Sequence, residues 1–300
     1  MLDAESTYQA AGVSLATAEA VVGRLRAAVE STGAAGFGTF AGLYPLGEDR
    51  LLAASMDSIG TKPIVARARG LLRNCGADMA AHCINDVLTC GADPLFLLDY
   101  VAANRLELEQ VAELVEGAAE VCRTAGCALV GGETAEMPGV YREGELDFAA
   151  TCVGIVDREQ LIDGSRVEAG DAIVGFPSVG VHANGFSLVR RVLDVEDYSG
   201  DDLLAPTRLY LDEVRALRRE TEVRALAHVT GGGIEGNVSR VLPDGLRARI
   251  DWAAWERPPV FRWLARHVDE EELRRVFNLG IGYCAVVSDP AGRQLIGRVE

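Results

Sequence analysis

The chain has 300 residues, 29 basic and 45 acidic, for a net charge of −16, and 49% of its residues are hydrophobic. That acidity argues against a nucleic-acid binder, which needs a basic patch, and no uninterrupted apolar run of about 18 residues offers a membrane span. Seven cysteines with no C-x-x-C spacing, and an acidic start with no signal-peptide pattern, lead us to expect a free-thiol protein of the cytoplasm.

Residues 14–31 carry Leu15, Ala18, Val21, Val22, Leu25 and Val29 at helical spacing. A glycine-rich stretch, 33–38, comes next. Residues 50–57 read as a buried strand ending at Asp57. The following run, Asp57-Ser58-Ile59-Gly60-Thr61-Lys62, reads as a turn and holds the chain's only lysine. Glycine admits close backbone approach, threonine donates a hydrogen bond, a compact ammonium neutralises phosphate, and a carboxylate can hold Mg²⁺. The alternative is a strand-to-turn connection with one surface lysine. The spacing is not that of a Walker A loop.

Residues 76–91 are helical in pattern and carry Asn85-Asp86, which alone reads as a polar helix face. Pro94 opens an apolar strand, 95–101. A helix over 107–125 is closed by Gly126. A short strand, 127–130, runs into Gly131-Gly132-Glu133-Thr134-Ala135-Glu136, and another strand covers 147–157. This alternation predicts an α/β (α+β) domain. The polar segment 158–170 marks a boundary, so the expected domains are 1–160 and 168–300.

The second half opens with a strand at 171–176. Predicted helices at 185–193, 206–226 and 259–276 follow, with strands near 246–251 and 282–288. Two loops stand out. Ser178-Val179-Gly180-Val181-His182-Ala183-Asn184-Gly185 enters a helix, where free backbone amides favour an anion. A capped helix start with Asn184 as N-cap is the alternative. His228-Val229-Thr230-Gly231-Gly232-Gly233 is a second such loop, or a flexible turn. His82 and His267 have no evident partner and read as structural.

Taken in order, these motifs resemble the phosphoribosylformylglycinamidine cyclo-ligase (aminoimidazole ribonucleotide synthetase) family. The resemblance rests on Tyr8 to Val13, Asp57 to Lys62, Asn85-Asp86 with Gly91 to Tyr100, and the motifs at 131–139 and 178–190. Pro206 to Tyr210, Thr230 to Gly233 with Asn237, and Phe277-Asn278 complete it. It implies a two-domain ATP-binding fold whose N-terminal sheets pair into a barrel across a homodimer. It also implies ATP-dependent closure of formylglycinamidine ribonucleotide to aminoimidazole ribonucleotide, ADP and phosphate in purine biosynthesis.

On that likeness Asp57, Asp86 and Glu133 are the expected Mg²⁺ ligands. Gly60, Thr61, Lys62, Asn85, Gly131, Gly132 and Thr134 are expected around ATP. Ser178, Gly180, His182, Asn184 and Gly185 would face the substrate, and Lys62, His182 and Asp57 would act in catalysis. Two departures stand out: Ser58 takes the place of the family's usual glycine, and the tail after Val287 runs almost directly into Leu295 to Val299 where a helix is expected. A small-molecule kinase of the same superfamily and a catalytically silent nucleotide-binding paralogue are the competing readings. The intact Asp57, Lys62, Asp86, Glu133 and His182 weigh against the second.

Overall fold

The computed structural model describes residues 7–33 and 38–300, so most of the glycine-rich 33–38 stretch lies outside the described residues. Helix α1 (Leu15–Glu30) forms where its periodicity predicts it. The Ser14 hydroxyl caps it by accepting the Thr17 N–H at 3.1 Å. Its apolar stripe is buried against nothing among the described residues, and Val21 is 50% and Leu25 48% exposed.

The first sheet is built from β1 (Gly42–Leu46), β2 (Arg50–Ser58), β3 (Asp93–Ala103), β4 (Ala128–Glu136) and β5 (Leu146–Asp157). Their order is β1-β2-β5-β3-β4, and β3–β4 is the parallel pair. Strand β1 was not foreseen, because Pro45 breaks its pattern; as an edge strand it tolerates proline. Between β2 and β3 lie α2 (Lys62–Ala68) and α3 (Leu72–Leu88), and α4 (Leu108–Ala125) ends at a left-handed Gly126.

Helices α3 and α4 touch backbone to backbone. A Cβ at Gly76 would fall 1.8 Å from the Leu114 carbonyl oxygen, and one at Gly117 would fall 2.0 Å from that of Arg73. This close contact sets α3 against β2 and β5, burying most of its length. The opposite face of the sheet stays bare: Met56 and Leu98 share one cross-strand row through Thr151, with Tyr44 and Val130 also exposed.

The second sheet takes β6 (Ala172–Pro177), β7 (Val223–His228), β8 (Ala248–Ile250), β9 (Ile281–Val287) and β10 (Leu295–Val299). The order is β7-β9-β6-β10-β8, with antiparallel pairs. Helices α5 (Phe186–Leu193), α6 (Leu211–Glu220), α7 (Gly233–Ser239), α8 (Pro259–Leu264) and α9 (Glu270–Val276) complete this half, with α7 against β7, β8 and β9. The single helix expected over 206–226 is α6 alone, followed by strand β7. Its predicted start, 206–210, is irregular because α3 side chains hold its backbone: the Thr207 N–H donates to Asp78 and the Tyr210 N–H to Asn85. Strand β10 is not a ragged edge. It sits between β6 and β8 and pairs with both.

Candidate active site

One face of α3 joins the two sheets. Asp78, His82, Asn85 and Asp86 recur at helical spacing, all buried, and each reaches a different segment. Asp78 Oδ1 accepts both the N–H (2.7 Å) and the hydroxyl (2.8 Å) of Thr207. His82 Nε2 lies 2.8 Å from Asp57 Oδ2. Asn85 donates to the Arg208 carbonyl at 2.8 Å and accepts the Tyr210 N–H at 3.1 Å. Asp86 accepts the Ser55 hydroxyl at 2.8 Å, and its other oxygen lies 2.9 Å from His228 Nδ1.

Lys62 departs from its expected role. It is the first residue of α2 rather than a turn residue, and it is fully buried. Its ammonium lies 2.6 Å from Asp78 Oδ2 and donates to the carbonyls of His182 (2.8 Å) and Ala205 (3.1 Å). The ammonium is closed to solvent among these three oxygens, so it is not open to a phosphate. Lys62 fastens α2 and α3 to the loop before α5. Asn85 is held in the same way, with both ends of its amide on the 208–210 backbone.

The expected Mg²⁺ ligands do not converge either. Register carries Asp57 through Ala150 to Asp99 and then Gly132 across four strands. At about 4.8 Å per strand, Gly132 lies roughly 14 Å from Asp57. A Cβ on Gly132 would meet the Asp99 carboxylate, so Gly132 faces the same side as Asp99. Strand alternation then sends Glu133 to the other face, where it is exposed and accepts its neighbour Thr134's N–H. Thr134 and Gly131 lie on this same exposed edge strand. Asp86, closed off by Ser55 and His228, is a network member rather than an open ligand.

Asp99 was overlooked in sequence because it reads as part of a buried strand. Burial raises it above the usual carboxylate range. It shares Asp57's row and helix-facing side, two strands away, and both carboxylates are half-open, with Asp57 accepting the Ser58 N–H on one oxygen and facing His82 with the other. His82, Asp86 and His228 also offer donor atoms within 4.8 Å of one another. That buried, nitrogen-rich set suits a borderline metal more than Mg²⁺.

The electrostatics follow from this packing. Burial opposes charge on His82, but Asp57, with Asp86 and Asp78 behind it, pushes its pKa up to about 9. Burial would raise Asp57, yet His82 outweighs it and holds Asp57 below its usual range. His228 is lowered by burial despite its bond to Asp86. His182 is driven well below the ordinary value by burial, reinforced by His228 and Lys62, so its imidazole is neutral.

His182 is the unusual member of the second-half loop. Its backbone sits at φ 63°, and both ring nitrogens are buried without a partner. A non-glycine residue in the left-handed region with unsatisfied nitrogens is a mark of a working position. Gly282 makes the room: a Cβ there would fall 2.5 Å from His182 Cε1 and 2.0 Å from the Tyr210 hydroxyl.

The residues around His182 shape the loop. The Ser178 hydroxyl lies between the Gly180 carbonyl (3.1 Å) and Asn278 Oδ1 (2.8 Å). Gly180 packs against the Asp202 carbonyl, and Gly185, not Asn184, is the α5 N-cap. Asn184 Oδ1 lies beside Gly231, so the 178–185 and 230–233 loops adjoin.

Gly60 and Thr61 line a cleft of about 460 Å³ between α2, the β4–β5 loop and α5. The Thr61 hydroxyl lies 3.3 Å from that of Ser187 at the start of α5.

Residues 38–156 match the family described as AIR synthase related protein, N-terminal domain, and residues 168–300 match its C-terminal domain. The chain is 47% identical to the phosphoribosylformylglycinamidine cyclo-ligase of Synechococcus sp. (strain CC9605), over 93% of this chain and 88% of the relative. It is 45% identical to that of Sorangium cellulosum (strain So ce56), over 97% and 90%. Its fold is similar to that of the Aquifex aeolicus thiamine monophosphate kinase complexed with AMPPCP and TMP. That likeness has a TM-score of 0.65 at 16% identity and covers 93% of this chain and 90% of the kinase.

Proposed function

The chain belongs to the phosphoribosylformylglycinamidine cyclo-ligase family, and we infer from that membership that it closes formylglycinamidine ribonucleotide to aminoimidazole ribonucleotide with ATP, releasing ADP and phosphate. The observation that carries this is the 47% identity to a cyclo-ligase over 93% of the chain. The protein is an enzyme that forms a carbon–nitrogen bond in purine biosynthesis.

The chemistry needs the formyl oxygen converted to a phosphate leaving group before a nitrogen attacks the same carbon. Positioning and charge neutralisation dominate such a transfer. Asp57 and Asp99 are oxygen donors for Mg²⁺, which when bound neutralises phosphate charge. Gly131, Gly132 and Thr134 supply close contacts along ATP, while Gly60 and Thr61 line the cleft between α2 and α5. His182, neutral and unpartnered, takes the proton released as the ring nitrogen attacks. Asn184 orients the substrate, while Ser178, Gly180 and Gly185 hold the loop that carries His182.

Residues 1–160 act as the ATP-binding and dimerising domain and 168–300 as the second domain, working in the cytoplasm. No helix among the described residues is long and apolar enough to cross a membrane. The bare sheet face with Met56, Leu98, Tyr44 and Val130 pairs with the same face of a second copy, completing a barrel. Purified protein, given ATP, Mg²⁺ and formylglycinamidine ribonucleotide, is expected to form aminoimidazole ribonucleotide. ATP hydrolysis without that product would overturn the reading.

A further inference from the structure

We propose that the cleft between α2, the β4–β5 loop and α5 is an anion subsite for the phosphate monoester of the ribonucleotide substrate, with Arg67, Arg142 and Arg190 as its cationic contacts. The assignment of that substrate rests on the cyclo-ligase reading above.

The three arginines come from three separate segments and line one cleft of about 460 Å³. Elsewhere in this acidic chain guanidinium groups are readily ion-paired. Arg73 bridges Glu116 and Glu120, Arg257 holds Glu270, and Arg224 reaches Glu168, Asp171 and Glu222. Among the described residues, none of the three cleft arginines has a carboxylate partner. The Arg67 guanidinium lies along the β4–β5 loop, 3.4 Å from where a Gly144 Cβ would stand, so a side chain there would crowd the fork.

Two carboxylates also line the cleft. Glu145 accepts the Arg142 N–H at 3.3 Å, and Asp147 accepts the Phe148 N–H at 2.8 Å. Their bonds go to backbone, which leaves the arginines to an incoming anion. Guanidinium forks match phosphate oxygens in paired hydrogen bonds, and the Thr61 hydroxyl on the wall is a further donor. A nucleoside triphosphate offers the same oxygens but spreads them over three phosphates, whereas three forks around one cleft match the oxygens of a single phosphate. A metal-free monoester dianion fits three arginines better.

The test uses Arg142→Gln, the double variant R67Q/R142Q, and Arg191→Gln, a neighbour of Arg190 that does not line the cleft, as control. Arg142 is exposed on a loop, so its replacement leaves the fold intact, as circular dichroism checks. In the double variant KM for formylglycinamidine ribonucleotide should rise about tenfold or more, with KM for ATP within about twofold and kcat little changed, the signature of lost uniform binding. Calorimetry with ribose 5-phosphate should show binding to the wild type and the control that the double variant loses. An unchanged ribonucleotide KM, or a rise in KM for ATP instead, overturns the proposal. If the wild type makes no aminoimidazole ribonucleotide, the cyclo-ligase reading fails. The subsite then stands or falls on arginine-dependent binding of ribose 5-phosphate alone.

Discussion

Lys62 Nζ lies 2.6 Å from Asp78 Oδ2, with both side chains closed to solvent. This pair spans α2 and α3, and the same ammonium reaches the carbonyls of His182 and Ala205, so one cation ties both sheets to the loop that carries His182. Removing one partner strands a buried charge, at a cost of about 3–5 kcal/mol. Lys62→Met should therefore lower the unfolding free energy by roughly that amount in urea titration. The double variant K62M/D78N should recover part of it, because no uncompensated charge remains and the amide oxygen still accepts from Thr207. A single variant as stable as wild type would show the pair to be dispensable.

His82 predicts a pH dependence of stability. Its folded pKa of about 9 stands above the ordinary value of 6.5. A raised histidine favours the folded state fully below the unfolded pKa, and that contribution fades as pH climbs through the folded one. Stability should thus fall between about pH 6.5 and 9, by on the order of 3 kcal/mol from this group. His82→Gln should be less stable than wild type at pH 6 and should flatten the decline. An equal decline in the variant would assign it elsewhere.

Asp57 and Asp99 share a row on the helix-facing side of the first sheet. Asp57→Asn and Asp99→Asn should each raise the Mg²⁺ concentration needed for half-maximal rate and lower kcat by about tenfold or more. The circular dichroism of Asp99→Asn should be unchanged. Asp86→Asn should act on stability instead, because it weakens the carboxylate bridge from Ser55 to His228. Wild-type Mg²⁺ dependence in both row variants would remove them from the metal site.

His182→Gln keeps a polar side chain in the buried slot but cannot take a proton. Turnover should fall by roughly 10²-fold or more while KM for either substrate changes little. A change confined to KM would make His182 a binding group and not a proton carrier.

Met56 and Leu98 face the same way on the bare sheet. The double variant M56E/L98E places charge where two copies are expected to meet. Sedimentation equilibrium should show a dimer for the wild type and a monomer for the variant at micromolar protein. A monomeric wild type would end the barrel proposal.

Much of this fold could be read from periodicity. Strands β2, β3, β5, β6 and β9 and helices α1, α3 and α4 fall where apolar spacing puts them, and Gly126 ends α4 as expected. What was illegible is partnership across distance. Nothing local tells that Lys62 meets Asp78 sixteen positions on, since the sequence shows a hydroxyl, a glycine and a carboxylate close by instead. His82 looked partnerless because Asp57 lies on another element. Strand β4 runs straight through its glycines to Glu136, and only the pleat reveals that Glu133 faces away from Asp57. The 206–210 segment loses its helix to side chains of α3, a tertiary effect that local propensity does not carry.

The sheet order also has a temporal side. All strands of the first sheet have been synthesised by residue 157, but β8 joins the second sheet only through β10, at residues 295–299. At ribosomal speeds of about 5–20 residues per second, those two moments are on the order of ten seconds apart. For the first half of that interval, until residue 228 has emerged, α3 presents Asp78, Asn85 and Asp86 without their partners at Thr207, Arg208, Tyr210 and His228. The nascent first half must wait with a polar, incompletely bonded seam exposed, which makes the order of emergence a constraint on how safely this chain folds.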